Sequence, residues 1–397
     1  MRRASHVLAV LVLCALAALL AGCDLFGSDE SQLPGGPALI ASMGGNTPGL
    51  RIFSSETLES SALIETDDRQ PIGLALSPED ERWYVSWNLG SHSDGDPRDV
   101  LAIFDPARER FVKLRSWPDS SDVVRGVGNS RLIYDPVNDR IVAYASRATV
   151  QFFDAASLER KGRRMIGATE EEVVEAAVLA EEREEIYFGS YQEIHVYDLN
   201  KQEVTETFSM EGRPVLQSSG FVELALSPGE RYLYGTMFRG PGGPGTFFMM
   251  DLSSGRILTK KEVGSYAGIA VHPSGRYVYV DCPAGGMREL IPTNKILRFD
   301  TQAREMEVFI DGHEGLGLPG RALIADKITM LSGGEAFVIR NPVPARTRLD
   351  EDEEAAPSLL VVDTETKDVL ATYVPPRDED GAVTGAVVDL AFTVVPE

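Results

Sequence analysis

Gly268-Ile-Ala-Val-His-Pro-Ser-Gly-Arg-Tyr-Val-Tyr-Val280, then Ile296-Leu-Arg-Phe-Asp300 and Met306-Glu-Val-Phe-Ile310, places four short apolar segments in one stretch, separated by polar turns. Each segment is too short for a helix, is rich in β-branched and aromatic residues, and is bounded by Gly, Pro or Ser, which predicts four β-strands. Tyr277-Val-Tyr-Val280 is apolar at consecutive positions rather than alternate ones. A strand of that kind is covered on both faces, as in a sheet sandwiched between two others.

The phrase recurs along the chain. Leu224-Ala-Leu-Ser-Pro-Gly-Glu-Arg-Tyr-Leu-Tyr234 leads to Phe248-Met-Met-Asp251, and Gly73-Leu-Ala-Leu-Ser-Pro78 leads through Trp83-Tyr-Val85 to Leu101-Ala-Ile-Phe-Asp105. Further copies close at Asp154, Asp198 and Asp363, so that successive closing aspartates stand 49, 44, 53, 49 and 63 residues apart. That period fits a four-stranded unit, and four short strands repeated with tight turns predict a β-propeller. The aspartates are expected to accept backbone hydrogen bonds in the turn that follows them, a structural duty. Small residues in the first strands, among them Gly73, Ala75, Ala176, Ala225, Gly268 and Ala270, mark where blades converge on the axis. Six complete copies leave three strands at the head (Ala38–Ser42, Leu50–Phe53, Ala62–Ile64) and one at the tail (Val387–Phe392). Joined, they make a seventh blade and remove the open sheet edges. The expected fold is therefore all-β, a seven-bladed propeller over residues 38–397 whose ring is closed by the C-terminal strand.

Tyr84-Val-Ser-Trp-Asn88, Tyr277-Val-Tyr-Val280, the turns at Ser77-Pro78, Ser227-Pro-Gly229 and Pro273-Ser-Gly275, and the closing aspartates resemble the YVTN family of β-propellers and the related seven-bladed lactonase-like repeats. The likeness spans residues 38–397. It implies the fold; such propellers serve as surface proteins, binding platforms and a few enzymes, so it does not single out a function.

Arg2 and Arg3, the apolar run Val7–Leu20 and the small residues Ala21 and Gly22 before Cys23 read as an export signal over residues 1–22. Leu20-Ala-Gly-Cys23 resembles the lipobox of bacterial lipoproteins, which implies lipidation of Cys23 and a lipid anchor in the cell envelope, periplasmic or surface-exposed. Residues 23–37, rich in Gly, Ser, Pro and acids, read as a flexible tether. With 38 basic and 61 acidic residues the chain carries −23, which excludes sequence-independent nucleic-acid binding and argues that the body is held off anionic lipid, touching the membrane through its anchor alone. After loss of Cys14 with the signal and modification of Cys23, Cys282 is left alone and is expected to be a buried filler at a strand end.

Insertions between second and third strands concentrate in residues 88–98, 239–245, 283–292 and 341–357, which ring closure would gather into a crescent on one face. Strand-two ends place Asn88, Arg239, Asp281 and Asn341 near the axial mouth, and these are the candidate contact residues for a ligand or partner. Asp94, Asp96 and Asp99 could offer oxygen to Ca²⁺ but lack the further spacing and distal Glu of an EF-hand, so no metal site is assigned. His92, His195, His272 and His313 share no zinc-like spacing, and haem, phosphate-loop and nucleophile-elbow motifs are absent; no cofactor and no catalytic residue is assigned. The leading expectation is a monomeric, non-catalytic binding platform for a cell-envelope protein or other envelope component. The alternative is an exported lactonase-like hydrolase, or another enzyme, with an axial-pocket site.

Overall fold

The computed structural model of the chain describes residues 36–395, without 45–47, 61–62, 67–70, 78–81, 90–97, 109, 119–130, 145–148, 168–172, 192, 211–218, 240–243, 266, 283–294, 313, 317–326, 332, 342–356 and 377–385. The stretches read from the sequence as an export signal and a tether, with Cys23, fall almost wholly outside them, as do Asp94, Asp96 and most of the insertions read from the sequence. These residues form seven four-stranded antiparallel sheets, here numbered as blades around the ring.

Blade one joins the chain ends: β1 (Gly36–Gly44), β2 (Gly49–Ser54) and β3 (Ile64–Glu65) follow an innermost strand, β28 (Ala386–Val395). Blade two holds β4 (Pro71–Ser77), β5 (Arg82–Leu89), β6 (Arg98–Asp105) and β7 (Arg110–Pro118). Blade three holds β8 (Arg131–Asp135), β9 (Arg140–Tyr144), β10 (Thr149–Asp154) and β11 (Arg160–Met165). Blade four runs β12 (Val174–Ala180), β13 (Glu185–Ser190), β14 (Glu193–Asp198) and β15 (Glu203–Ser209); blade five runs β16 (Ser219–Leu226), β17 (Tyr232–Arg239), β18 (Gly245–Asp251) and β19 (Arg256–Val263). Blade six contains β20 (Ile269–Val271), β21 (Tyr277–Cys282), β22 (Lys295–Asp300) and β23 (Glu305–Asp311); blade seven contains β24 (Lys327–Met330), β25 (Ala336–Arg340), β26 (Leu359–Asp363) and β27 (Val369–Tyr373).

The expected closure is observed. All nine residues of β1 pair with β28, from Gly36↔Val395 to Gly44↔Ala386. The innermost strands touch in the cyclic order β4, β8, β12, β16, β20, β24, β28 and back to β4, which makes a wheel of seven. The fourth strand of blade one is shorter than the sequence suggested, two residues at Ile64–Glu65.

The core lies between blades, which is why the strands carry continuous apolar runs. Tyr84, Leu101 and Ile103 of blade two pack on Tyr134, Ile141 and Phe153 of blade three, and Tyr279 and Phe309 of blade six pack on Phe337 and Ile339 of blade seven. Leu39, Ala41 and Phe53 from the N-terminal strands pack with Val387 from the C-terminal one against Val338 and Leu359. Outer strands such as β15 and β11 are largely solvated, whereas β23 buries Phe309 and Ile310.

The closing aspartates do cap their turns. Asp154 accepts from Ser157 N at 2.7 Å, Asp198 from Lys201 N at 2.7 Å, Asp300 from Gln302 and Ala303 N at 2.9 Å, and Asp363 from Thr366 N at 2.7 Å. Four residues past each of these aspartates the backbone turns left-handed, at Leu158, Gln202, Arg304 and Lys367 (φ 56° to 69°), which gives a tight turn ending in a bulge. These hydrogen bonds hold the Asp154 carboxyl down at about 2 and lower those of Asp198, Asp300 and Asp363.

Candidate functional site

Innermost strands all run away from one face of the wheel, the face that also bears the second-to-third connections. At that end the first residue of each repeat phrase falls on an equivalent rung: Gly73 opposite Ser86, Arg131 opposite Tyr144, Ala176 opposite Gly189, Glu223 opposite Thr236, Lys327 opposite Arg340 and Asp389 opposite Ser42. In blade six Gly268 takes this place, its carbonyl accepting from Asp281 N at 3.1 Å. A polar cavity of about 150 Å³ lies at this axial mouth, lined by Gly73, Arg131, Tyr144, Ala176, Glu223 and Lys327 among others. Side chains from blades three, five and seven thus reach one cavity.

Carboxylates at the mouth are built into the seams between blades. Glu223 Oε2 accepts from Ile269 N of blade six at 2.8 Å, and Asp281 Oδ1 accepts from Gly268 N at 2.5 Å. The two converge so closely that a Cβ on Gly268 would meet Asp281 Oδ2 at 2.7 Å and Glu223 Oε2 at 3.0 Å, so only glycine fits there. Glu175 is the extra residue of a β-bulge in β12, where the register shifts between Val174 and Ala176. Its carboxylate lies directly over Gly220 of blade five, and Oε2 is buried without a hydrogen-bond partner. Burial pushes the Glu175 carboxyl up to about 7, although the Phe221 backbone N–H and the nearby charge of Arg131 both pull it down. One acid therefore titrates near neutrality beside an arginine that lines the cavity.

The four residues nominated from the sequence separate. Asp281 is fully buried and meets Glu223 over Gly268, so it belongs to the mouth. Asn341 is buried as well, but its Nδ2 donates to Pro357 O at 3.0 Å and its backbone N to Ser358 O at 2.9 Å, which closes the base of the 342–356 connection. Asn88, the last residue but one of β5, and Arg239, the last of β17, stand at the mouth-face ends of their strands; their side chains lie outside the described residues, as does that of Asp99. Sequence reasoning passed over Arg131, Glu175, Glu223 and Lys327. Three of them were legible in principle, since each immediately precedes an apolar first-strand run: Leu132-Ile133, Leu224-Ala225 and Ile328.

The remaining reactive side chains serve the scaffold. Cys282 is buried, and its Sγ accepts from Gly264 N at 3.4 Å. Burial pushes its thiol up to about 12, which leaves no thiolate near neutral pH. His272 Nδ1 accepts from Ser274 N at 3.1 Å, taking the turn-capping place that Ser227 fills for Tyr232 N at 2.9 Å. His195 is buried with Nδ1 3.1 Å from Thr207 Oγ1. Among the described residues no group of three His, Cys, Asp or Glu side chains could hold a metal ion.

No family model matches the chain, and no curated protein matches it. Among solved structures, the periplasmic gluconolactonase PpgL of Pseudomonas aeruginosa is similar with a TM-score of 0.60 and 14% identity, over 91% of this chain and 100% of that one. At that identity the likeness is one of architecture. The chain is a β-propeller, and its fold is one that a lactonase also uses.

Proposed function

We propose that this protein is an exported propeller, anchored in the cell envelope through Cys23, whose axial mouth binds a small polar ligand and hydrolyses a lactone ring. The carrying observation is the rung of charged first residues, Arg131, Glu223 and Lys327, gathered around one polar cavity. Glu223 is placed to take a proton from water, which adds to the lactone carbonyl carbon; Arg131 and Lys327 supply positive charge for the oxyanion, and the ring C–O bond breaks as the alkoxide is protonated. Glu175 sets the pH range, because its ionisation near 7 adds a negative charge beside Arg131. Fold likeness to a gluconolactonase supports this choice of reaction, and assignment to the YVTN-type family and to the lipoproteins belongs to the same proposal.

The test is hydrolysis of glucono-1,5-lactone followed by pH-stat against the spontaneous rate. Turnover is expected, and Glu223→Gln should lower it by about 100-fold or more, the usual cost of losing a general base. Absence of turnover together with absence of any lactone-induced rise in melting temperature would overturn the reading.

A second reading keeps the mouth non-catalytic and makes the surrounding face a platform for an envelope component. It is favoured by the three long connections, β5–β6, β21–β22 and β25–β26, all of which leave on the mouth face; the insertion expected at β17–β18 is only five residues, against four at β9–β10. Ligand-induced stabilisation without turnover would select it.

A further inference from the structure

The chain's positive charge is unevenly placed. The outermost strands of two neighbouring blades, β7 with Arg110, Lys113 and Arg115 and β11 with Arg160, Lys161, Arg163 and Arg164, carry seven cations and no acid, on a chain of net charge −23. Other outer strands differ: β15 holds Glu203 and Glu206, β23 holds Glu305, Glu307 and Asp311, β27 has no charge, and β19 mixes Arg256, Lys260 and Lys261 with Glu262. The two basic strands form one surface, because Lys113 Nζ donates to Ala156 O at 3.0 Å and Arg115 pairs with Glu159 at 3.0 Å, both across the seam. Lys161 pairs with Asp154 at 3.1 Å, and Asp105 stands opposite Arg110 in the β6–β7 register, so among the described residues three acids stand against seven cations. Apolar side chains stand exposed on the same two strands: Val112 at 41% and Leu114 at 47%, Leu114 on the face of β7 opposite Lys113 and Arg115, and Met165 at 52%.

We propose that this edge of blades two and three is a docking surface for an anionic phospholipid bilayer. Basic side chains interleaved with exposed apolar ones match a headgroup layer over its acyl boundary, whereas a soluble polyanion would leave the apolar groups in water. The path of the chain supports the same occupant. β1 begins at Gly36 on the face opposite the mouth, in blade one, the neighbour of blade two. Thirteen residues from Cys23 to Gly36 can reach at most roughly 45 Å, and within any one blade the outermost strand lies only about 10 Å outward from the second at ordinary strand spacing. Acids elsewhere on the wheel are screened over about 8 Å at physiological salt, so the local charge governs contact. Docked on this edge, the wheel stands on its rim with the axial mouth open to the side.

The experiment uses the full chain carrying Cys23→Ser, so that no acyl anchor contributes. Partition is measured onto vesicles of phosphatidylcholine alone or with phosphatidylglycerol, in low and high salt. Because any contribution of the N-terminal segment is common to all forms, the quantity read is the ratio of parent to variant. Arg163→Gln with Arg164→Gln should weaken binding to anionic vesicles by about 25-fold, roughly fivefold per charge, with a ratio near one on phosphatidylcholine. Leu114→Ser with Met165→Ser should weaken vesicle binding and leave inorganic polyphosphate binding unchanged. Melting temperature checks the fold, and Arg110→Gln with Arg160→Gln provides a second charge-removed pair. A ratio near one on anionic vesicles for both pairs would overturn the proposal. So would polyphosphate binding that matches vesicle binding while the Leu114 and Met165 changes affect neither, since the partner would then be a soluble polyanion.

Discussion

Glu175, set by a β-bulge beside the axial mouth, shows how the surroundings of one side chain decide its charge. A carboxyl whose folded pKa of about 7 lies above its ordinary value of 4.5 binds its proton more tightly in the folded state. The resulting stability is fully present below pH 4.5 and is lost as pH rises through 7. Glu175→Gln keeps the shape over Gly220 and removes the titration. Denaturant unfolding from pH 4 to 9 should show that the variant loses the parent's decline between about 4.5 and 7. It should then be more stable than the parent at pH 8 by about 1 kcal/mol, the value of 1.36 kcal/mol per unit being discounted for partial exposure. A parallel pH profile in the two proteins would show that burial does not govern this group. Glu175 was not legible in the sequence, because a bulge re-aims a side chain through register, which depends on pairing with a strand ten or more residues away. Cys282 was legible for the opposite reason: a cysteine ending an apolar run with no histidine beside it has only packing to do, and it is buried.

Individual strands were legible because burial on both faces imprints continuous apolar runs, as in Phe247-Phe-Met-Met250, and because a turn that needs an aspartate repeats it. The first-to-second-strand hairpin β8–β9, where other blades carry Ser77, Ser227 or His272, secures its turn with a further aspartate. Asp135 is fully buried, accepts from Val137 N at 3.0 Å and Asn138 Nδ2 at 3.0 Å, and pairs with Arg140 at 2.6 Å. Arg140 also lies 4.3 Å from the Phe152 ring centroid and donates to Gln202 Oε1 at 3.3 Å, so the pair joins blade three to blade four. Removing one partner of a buried pair strands the other. Asp135→Ala should therefore lower stability by about 3–5 kcal/mol, read as a shift of the chemical denaturation midpoint. Asp105→Ala, in a turn where the carboxylate accepts from Arg108 N at 3.1 Å and is partly exposed, should cost about 1 kcal/mol. Equal losses would mean that burial of the ion pair adds nothing to the turn.

At the scale of the molecule, net charge says nothing about where the charges lie. The value of −23 argued that the body avoids anionic lipid, yet an average over the whole chain hides seven cations on two adjacent strands. That adjacency exists only once β7 and β11 are placed on one edge. The mouth was likewise visible only as an architecture, since which residues share a rung depends on how the ring closes. Closure itself is the most consequential whole-molecule feature, and it rests on β28. Deleting residues 386–397 leaves the nine-residue edge of β1 unpaired and takes Val387 from the cluster with Leu39 and Val338. It also breaks the innermost ring between β24 and β4. An exposed edge of that length seeks another strand. The truncated chain should unfold over a broad temperature range and elute as a dimer or larger species, and a peptide of residues 384–397 added in trans should restore a sharp transition and the monomer. Sharp unfolding of a monomer at the parent temperature, without the peptide, would mean that six blades hold their curvature unaided and that the terminal strand is an ornament of the ring rather than its lock.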